Sequence, residues 1–213
     1  MNPNQESSEI PPVRIVVGEP GTGKTWLCRQ TALHQPRVLW FDPSSREQLS
    51  DGAFRSANPH SIARTIRGKT VFQGVYYPTG ESSRDGPGVV MKAAAQYPGR
   101  VHVVVDEFRL MVGRGRRTLP GFDEVVRTHR NSNLSIDFIT HRLADTHPDA
   151  GVIVQRVIIF GASWPADRKK IKDDYGKDVL AMVDQLEQYQ YVWICTRSGL
   201  TGVGGGDQWG KFV

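Results

Sequence analysis

The chain has 213 residues, which suits one domain of average to large size with a substantial core. Its composition, 38% hydrophobic and 23% charged, is that of a soluble globular protein, and no apolar run is long enough to span a bilayer. The net charge of +5 modestly favours an anionic partner such as nucleic acid. Cys28 and Cys195 stand in apolar surroundings without metal-ligand spacing, so we expect reduced core thiols and a cytosolic compartment.

The first part of the chain predicts a lead-in followed by a strand–loop–helix–strand unit. Residues 1–12 are polar and acidic, without the basic start and apolar centre of a signal peptide, and we expect them to be disordered. A β-branched strand over 13–18 runs into a glycine-rich loop and a helix over about 24–33. A second strand covers 37–42.

The middle of the chain predicts two further strands with helices between them. A helix near 60–67 precedes a strand over 70–77, and a loop over 81–88 leads to a helix over 89–97. The next strand, over 101–108, is apolar on both faces, as in a parallel sheet that helices cover on each side.

The last part of the chain begins with a basic loop over 113–121 and a helix over about 122–130. Strands are predicted over 134–140 and 152–161, and one or two helices over 164–186.

A final strand over 189–196 and a glycine-rich tail over 198–213 close the chain, and we expect the tail to be loose or dependent on a partner. Strands that alternate with helices indicate βαβ units. The sequence therefore predicts one α/β domain over 13–197, with a mostly parallel central sheet flanked by helices on both faces.

The segment "GEPGTGKT" fits the phosphate-binding pattern G-x-x-x-x-G-K-[ST], and it lies between a predicted strand and a predicted helix. Its glycines let the backbone turn its N–H groups inward, where they and the helix N-terminus bind phosphate oxygens. Lys24 would reach the β- and γ-phosphates of ATP, and the Thr25 hydroxyl would bind Mg²⁺. The candidate nucleotide-binding residues are Gly18, Glu19, Pro20, Gly21, Thr22, Gly23, Lys24, Thr25 and the adjoining Trp26, whose indole fits the core better than an adenine platform.

Two acids, Asp106 and Glu107, follow the valine-rich strand in "VVVDE". In a parallel sheet the carboxyl ends of the strands are where ligands bind. Asp106 is suited to hold Mg²⁺ through water, and Glu107 is suited to polarise an attacking water as a general base. The pair indicates water as the phosphoryl acceptor, hence an ATPase, whereas a small-molecule kinase would need an acceptor pocket and usually an arginine-rich lid.

"VVVDEFRLM" and the downstream "VVRTHRNSNLSIDFITHRLADTHPDAGVIVQRVIIFG" resemble the FtsK/HerA superfamily of P-loop ATPases, in which an Asp-Glu pair is often followed by an aromatic residue. The resemblance covers roughly residues 13–196. Within the superfamily, the chain is similar to the genome-packaging ATPases of tailless, membrane-containing viruses. This resemblance implies a RecA-like fold and a homo-oligomeric ring that drives double-stranded DNA into a preformed capsid. It also implies a capsid or portal partner, in the host cytoplasm or at the packaging vertex of the virion.

The same resemblance implies roles for polar residues after the strand in "IDFITHR". Thr140 and His141 would lie near the γ-phosphate, between the first strand and the Asp-Glu strand, and would sense hydrolysis. His141 stands where the family often has Gln, and it can still donate and accept a hydrogen bond while adding pH sensitivity near neutrality. The alternative is that Thr140 caps the strand and His141 is simply exposed.

An arginine that reaches the γ-phosphate of the neighbouring subunit is also implied by the resemblance, and such a finger stabilises transition-state charge. Arg130 is the first candidate and Arg127 the second, with Arg142 and Arg156 behind them. The alternative is that these cations merely favour a helix C-terminus.

The loop "GRGRRT" concentrates Arg114, Arg116 and Arg117, which could contact DNA phosphates without reading sequence or could form a solvated loop. "RTIRGK" over 64–69 is a weaker signal of the same kind. Three other functions stay open: a filamentous-phage assembly or conjugation-type motor, a nucleoside or nucleotide kinase, and a non-catalytic nucleotide-gated interaction module.

Overall fold

The computed structural model describes residues 13–44, 49–79, 82–107, 133–146 and 153–205. Its strands are β1 (Val13–Val17), β2 (Arg37–Phe41), β3 (Phe54–Ser56), β4 (Phe72–Tyr76), β5 (Val101–Val105), β6 (Leu134–Thr140), β7 (Arg156–Ile159), β8 (Gln190–Cys195) and β9 (Thr201–Gly205). Its helices are α1 (Lys24–Leu33), α2 (Pro59–Arg67), α3 (Ser82–Ala95), α4 (Pro165–Tyr175) and α5 (Lys177–Asp184), with a 3-10 turn over Leu143–Asp145.

The described strands form one nine-stranded sheet in the order β3-β4-β2-β5-β6-β1-β7-β8-β9. Every pair from β3 to β7 is parallel, and only β8 and β9 are antiparallel to their neighbours. The predicted mostly parallel sheet is therefore confirmed. The parallel strands end together at one side of the sheet, which we call the carboxyl edge.

Helices cover both faces of the sheet. One core packs α2, α3, α4 and α5 against alternate strand residues, and the other packs α1 against the remaining ones. All residues of β5 and β6 are buried, and most of them are apolar, as expected of central strands that helices cover on both faces. Among the described helices, none has the length and apolar character to cross a membrane.

A buried polar cluster interrupts the core on the α1 face. Arg14 on β1 lies directly opposite Asp137 on β6, and its Nε donates to Asp137 Oδ1 at 2.6 Å. His102 on β5 places Nε2 3.4 Å from Asp137 Oδ2 and Nδ1 2.9 Å from the hydroxyl of Ser135. Burial alone would raise the pKa of Asp137, but the Arg14 guanidinium and the His102 imidazole together outweigh it and hold that pKa well below its usual range.

The predicted loop over 81–88 is wrong, because α3 begins at Ser82 and runs through Pro87. Gly86 is a packing residue here, since a Cβ at this position would lie 1.9 Å from the hydroxyl of Tyr76. The glycine lets the helix approach β4 closely. Because packing requires a glycine here, the segment has the composition of a loop although it is helical.

The edge strands β3 and β9 were not predicted. The tail that we expected to be loose from residue 198 instead contributes β9, which pairs antiparallel with β8. A Cβ on Gly202 or Gly204 would lie 2.7 Å from the ring of Trp193 or Tyr191, so these glycines leave room for aromatic rings over the edge strand. The predicted strand over 152–161 is shorter, Arg156–Ile159.

Several other expectations have clear outcomes. The helical stretch over 164–186 is two helices, separated at Gly176 with φ of 96°. Cys28 and Cys195 are both buried free thiols, as expected. The lead-in over 1–12, the basic loop over 113–121 and the helix over 122–130 lie outside the described residues.

Candidate nucleotide-binding site

The glycine-rich segment forms a tight loop that joins the carboxyl end of β1 to the first turn of α1. Gly21 and Gly23 have φ of 78° and 107°, a conformation that side chains with a Cβ rarely adopt. The Thr22 hydroxyl donates to the carbonyl of Glu19 at 2.8 Å, which closes the loop on itself. The loop is therefore tight, as its glycines predicted, and α1 begins at Lys24.

The loop also packs against the residues that follow β7. A Cβ at Gly18 would lie 2.7 Å from the Cβ of Phe160, so the close approach requires glycine. The backbone N–H of Ser163 donates to Glu19 Oε1 at 3.0 Å. The segment after β7 is thus a second wall of the loop.

Lys24 is 4% exposed, and its ammonium donates to the carbonyl of Glu19 at 2.6 Å. Burial lowers the pKa of Lys24 to about 8, although the carboxylates of Asp106 and Glu107 act in the opposite direction. A phosphate group beside Lys24 would supply a stronger acceptor than a carbonyl oxygen, since both partners would carry charge.

Asp106 and Glu107 follow β5 at the carboxyl edge, as predicted. The Glu107 N–H donates to Asp106 Oδ1 at 2.9 Å, which orients the Asp106 carboxylate. Glu107 itself has φ of 50°, and its side chain is 39% exposed. A non-glycine residue in this left-handed region is uncommon and is often found at functional sites.

Thr140 and His141 end β6, which lies between β1 and β5 as predicted. His141 Nε2 is 3.4 Å from Glu107 Oε1, and the imidazole is 44% exposed. The Thr140 hydroxyl, in contrast, lies 3.4 Å from the backbone N of Arg142 and 3.3 Å from its carbonyl oxygen. Thr140 therefore closes the strand end in this structure, while His141 meets the candidate general base.

The side chain of Arg142 reaches the start of α4. Its Nε lies 3.7 Å from Asp167 Oδ2, and its guanidinium lies over the Trp164 ring at 5.0 Å from the centroid. Asp167 is 4% exposed and also accepts the Ala144 N–H at 2.8 Å. Arg156 lies at the amino end of β7, away from this loop.

No protein-family model matches the chain, and no curated protein matches it by sequence. Solved structures do match. The genome-packaging NTPase B204 from Sulfolobus turreted icosahedral virus 2, in complex with AMPPCP, superposes with a TM-score of 0.74 at 18% identity, over 91% of this chain and 96% of that chain. The chain has the fold of a P-loop NTPase.

Two further matches share this P-loop fold. VirB4 of Thermoanaerobacter pseudethanolicus has a TM-score of 0.60 at 10% identity, over 89% of this chain and 88% of its own. The cytoplasmic domain of the type VII secretion ATPase EccC of Thermomonospora curvata has a TM-score of 0.56 at 15% identity, over 92% of this chain but 24% of its own. Together with the sheet order, these likenesses confirm the predicted RecA-like fold.

The oxygens of Thr25 and Asp106 suit Mg²⁺, which prefers hard oxygen ligands. The described residues contain no cluster of three or more His, Cys, Asp or Glu side chains that could hold a metal. Mg²⁺ at such sites needs only one or two protein oxygens, because phosphates and water complete its shell. The residues present in this P-loop fold therefore fit the ion.

Some predicted site residues remain untested by the geometry. Arg127 and Arg130 lie outside the described residues, as do the basic-loop residues Arg114, Arg116 and Arg117.

The indole of Trp26 was expected to fit the core better than an adenine platform. Its place in the core is wrong, since Trp26 is 44% exposed.

Sequence reasoning missed the segment after β7, which reaches the loop through Ser163 and carries Trp164. The signal was available, because "GASWP" follows a predicted strand and starts a helix at the same edge of the sheet.

Proposed function

We propose that this protein is an ATP-hydrolysing motor that moves double-stranded DNA, and that it drives a viral genome into a preformed capsid. One observation carries the proposal. Lys24, the Asp106-Glu107 pair and His141 stand at the carboxyl ends of three neighbouring strands, β1, β5 and β6. Ligands of open α/β sheets bind at this edge of the sheet. A phosphate chain held by the loop would therefore lie beside Glu107, the candidate general base, and His141, the candidate sensor of the γ-phosphate.

The chemistry follows from the placement of each group. The loop N–H groups and the Lys24 ammonium bind and orient the β- and γ-phosphates. The Glu107 carboxylate accepts a proton from a water molecule while the water oxygen attacks the γ-phosphorus. The bond between the γ-phosphorus and the oxygen of the β-phosphate breaks, and ADP leaves. Mg²⁺, held by Thr25 and Asp106, would neutralise charge on the phosphate oxygens.

His141 is suited to report the state of the γ-phosphate because it already contacts Glu107. A hydrogen bond from the imidazole to the phosphate would compete with the contact to the carboxylate. Loss of the γ-phosphate would then return His141 to Glu107. We propose that Thr140 supports this step by fixing the end of β6, through its hydroxyl contact with the backbone N of Arg142.

Three observations support DNA as the polymer that is moved. The net charge is +5 and the loop over 113–118 concentrates arginines, which favours phosphate contacts without sequence readout. The matched B204 structure is described as a genome-packaging NTPase. We further propose a homo-oligomeric ring with Arg130 or Arg127 acting across subunits, and a capsid or portal protein as partner, in the host cytoplasm or at the packaging vertex.

An ATPase assay with and without double-stranded DNA at low salt tests this function. Wild type should hydrolyse ATP and be stimulated by DNA. Glu107→Gln should bind ATP but lose hydrolysis about 100-fold or more, because the general base is removed while the loop is intact. Absence of stimulation by DNA would count against a motor that moves DNA.

A secretion- or conjugation-type motor is the second candidate, because the VirB4 and EccC structures share the fold. ATP turnover without DNA stimulation would favour a motor with a protein substrate. Phosphate transfer to an added nucleoside would instead indicate a kinase, and ATP binding without turnover would indicate a non-catalytic module.

A further inference from the structure

We propose that the exposed indole of Trp164 is the stacking platform for the base of the bound nucleotide, with the Arg142 guanidinium held against its other face. The inference rests on the proposed nucleotide binding and adds the group that recognises the base. It concerns a residue that neither the phosphate-loop pattern nor the acidic pair singles out.

The sheet order sets the direction in which the nucleotide extends. β1, which leads into the phosphate loop, has β6 on one side and β7 on the other. Glu107 and His141, the groups suited to act on the γ-phosphate, lie on the β5–β6 side. A triphosphate with its γ-phosphate on that side and its α-phosphate across the end of β1 directs the ribose and base over the end of β7.

The residues after β7 form a firm surface at this place. The Ser163 N–H donates to Glu19 of the phosphate loop at 3.0 Å, and Trp164 is the next residue. Arg168 on α4 donates from Nη1 to the carbonyl of Ala162 at 3.3 Å, which ties the segment to the helix. Trp164 therefore stands beside the loop on an anchored segment.

The indole is exposed and yet supported. Trp164 is 53% exposed, so much of its ring is accessible to a ligand. The Arg142 guanidinium lies 5.0 Å from the ring centroid, a cation–π contact, and the buried carboxylate of Asp167 lies 3.7 Å from Arg142 Nε. A rigid aromatic ring with one supported face is the kind of surface on which bases stack.

Trp26 is the other exposed indole next to the loop, at 44%. It follows Thr25 on the first turn of α1. The remaining described tryptophans, Trp40 and Trp193, are buried or half-buried. Trp164 is the better platform because it lies on the β7 side.

The test compares ATP with inorganic triphosphate, which has the phosphates but no base. Calorimetry on wild type, Trp164→Ala and Trp164→Phe with Mg²⁺ should show ATP affinity reduced about 5- to 100-fold by Trp164→Ala. The affinity for triphosphate should stay within about twofold. Trp164→Phe should restore most of the ATP affinity, since a phenyl ring still stacks.

A matched control is Leu200→Ala, which truncates an exposed apolar side chain (63%) at the opposite edge of the sheet. It should change neither affinity. Fluorescence adds a second readout, because ATP but not triphosphate should quench the signal that Trp164→Phe removes.

Three results would overturn the platform. Equal losses for ATP and triphosphate would show that Trp164 only positions the loop, and no loss for either would show that it does not touch the nucleotide. A base-selective loss in Trp26→Ala but not in Trp164→Ala would move the platform to α1. Failure of wild type to bind either ligand would instead defeat the proposed function, and the platform with it.

Discussion

At the scale of single residues, Lys24 shows how the fold tunes a side chain that the motif already names. Its ammonium is buried beside the loop carbonyl of Glu19, and burial lowers its pKa to about 8. The cost of burying this charge is relieved when an anionic phosphate takes the place of a neutral acceptor. The buried ammonium of Lys24 is therefore expected to interact more favourably with a phosphate than with the carbonyl of Glu19.

We predict that ATP affinity falls as the pH rises through about 8, because above that value the free protein increasingly holds neutral Lys24. Phosphate favours the charged form, so binding above pH 8 takes up a proton, and affinity should fall up to about tenfold per pH unit. Calorimetry from pH 7 to 9.5, in buffers of different ionisation enthalpy, measures both effects.

Lys24→Arg is the matched control for this pH dependence, because a guanidinium stays charged throughout the range. Its absolute affinity is expected to differ from wild type, but its affinity should be flat with pH. A flat profile in wild type as well would show that Lys24 does not titrate near 8.

The end of β6 shows three neighbouring residues with three different partners. Thr140 contacts the Arg142 backbone, His141 contacts Glu107, and Arg142 reaches Asp167 and Trp164. An ordinary turn would use small or turn-forming residues here. In the candidate site, His141 and Arg142 thus reach groups on two different elements, the end of β5 and the start of α4.

At the scale of elements, the buried pair Arg14–Asp137 joins β1 to β6, the strands that lead to the phosphate loop and to His141. A buried ion pair is weak evidence for stability, because desolvation of the charges offsets their attraction. Removal of one partner is different, since it leaves the other charge buried and unpaired.

We predict that Asp137→Ala lowers the free energy of unfolding by about 3–5 kcal/mol. The double variant Arg14→Met/Asp137→Leu should lose much less, because no charge is left unpaired. Urea unfolding at pH 7 measures both. Asp174→Ala breaks the exposed pair with Lys170 and should cost less than about 1 kcal/mol. A double variant as unstable as Asp137→Ala would contradict the argument.

The lowered pKa of Asp137 also gives a pH dependence with a definite sign. The folded protein holds this carboxylate charged at pH values where the unfolded chain would protonate it. Its contribution to stability is therefore present above the unfolded pKa of about 4 and is lost as the pH falls below it. The double variant should show a weaker loss of stability in acid.

Prediction of the elements succeeded where local pattern and burial agree. The buried runs of β5 and β6 and the helix after the phosphate loop follow from periodicity, and their bounds were close. The start of α3 and the edge strand β9 were missed, because Gly86, Gly202 and Gly204 are present to admit neighbouring aromatic side chains. Local composition cannot distinguish such a glycine from one in a turn.

At the scale of the whole molecule, the proposed ring makes each nucleotide site depend on two subunits. Hydrolysis would need Lys24 and Glu107 from one subunit and Arg130 from its neighbour. Closed rings arise from repeated head-to-tail interfaces, so every subunit would supply both halves.

We predict that mixing Arg130→Ala subunits with Lys24→Ala subunits restores ATPase activity. In an equal mixture about a quarter of the interfaces would join an intact Lys24 to an intact Arg130. The measurement is phosphate release as a function of mixing ratio, with each variant alone as baseline.

A mixture of Lys24→Ala with Glu107→Gln is the control, because both changes damage the same half of the site and no interface is repaired. Recovery with Arg127→Ala but not with Arg130→Ala would assign the finger to Arg127. No recovery with either would exclude both Arg127 and Arg130 as the trans finger.

The sequence by itself determined the phosphate loop, the acidic pair and the alternation of strands and helices, because each depends on residues that are close in the chain. Only the tertiary structure decided which distant groups meet. Arg14 and Asp137 are 123 positions apart and Ser163 and Glu19 are 144 apart, yet each pair is in contact. Strand order brings such groups together, and no local pattern encodes that order.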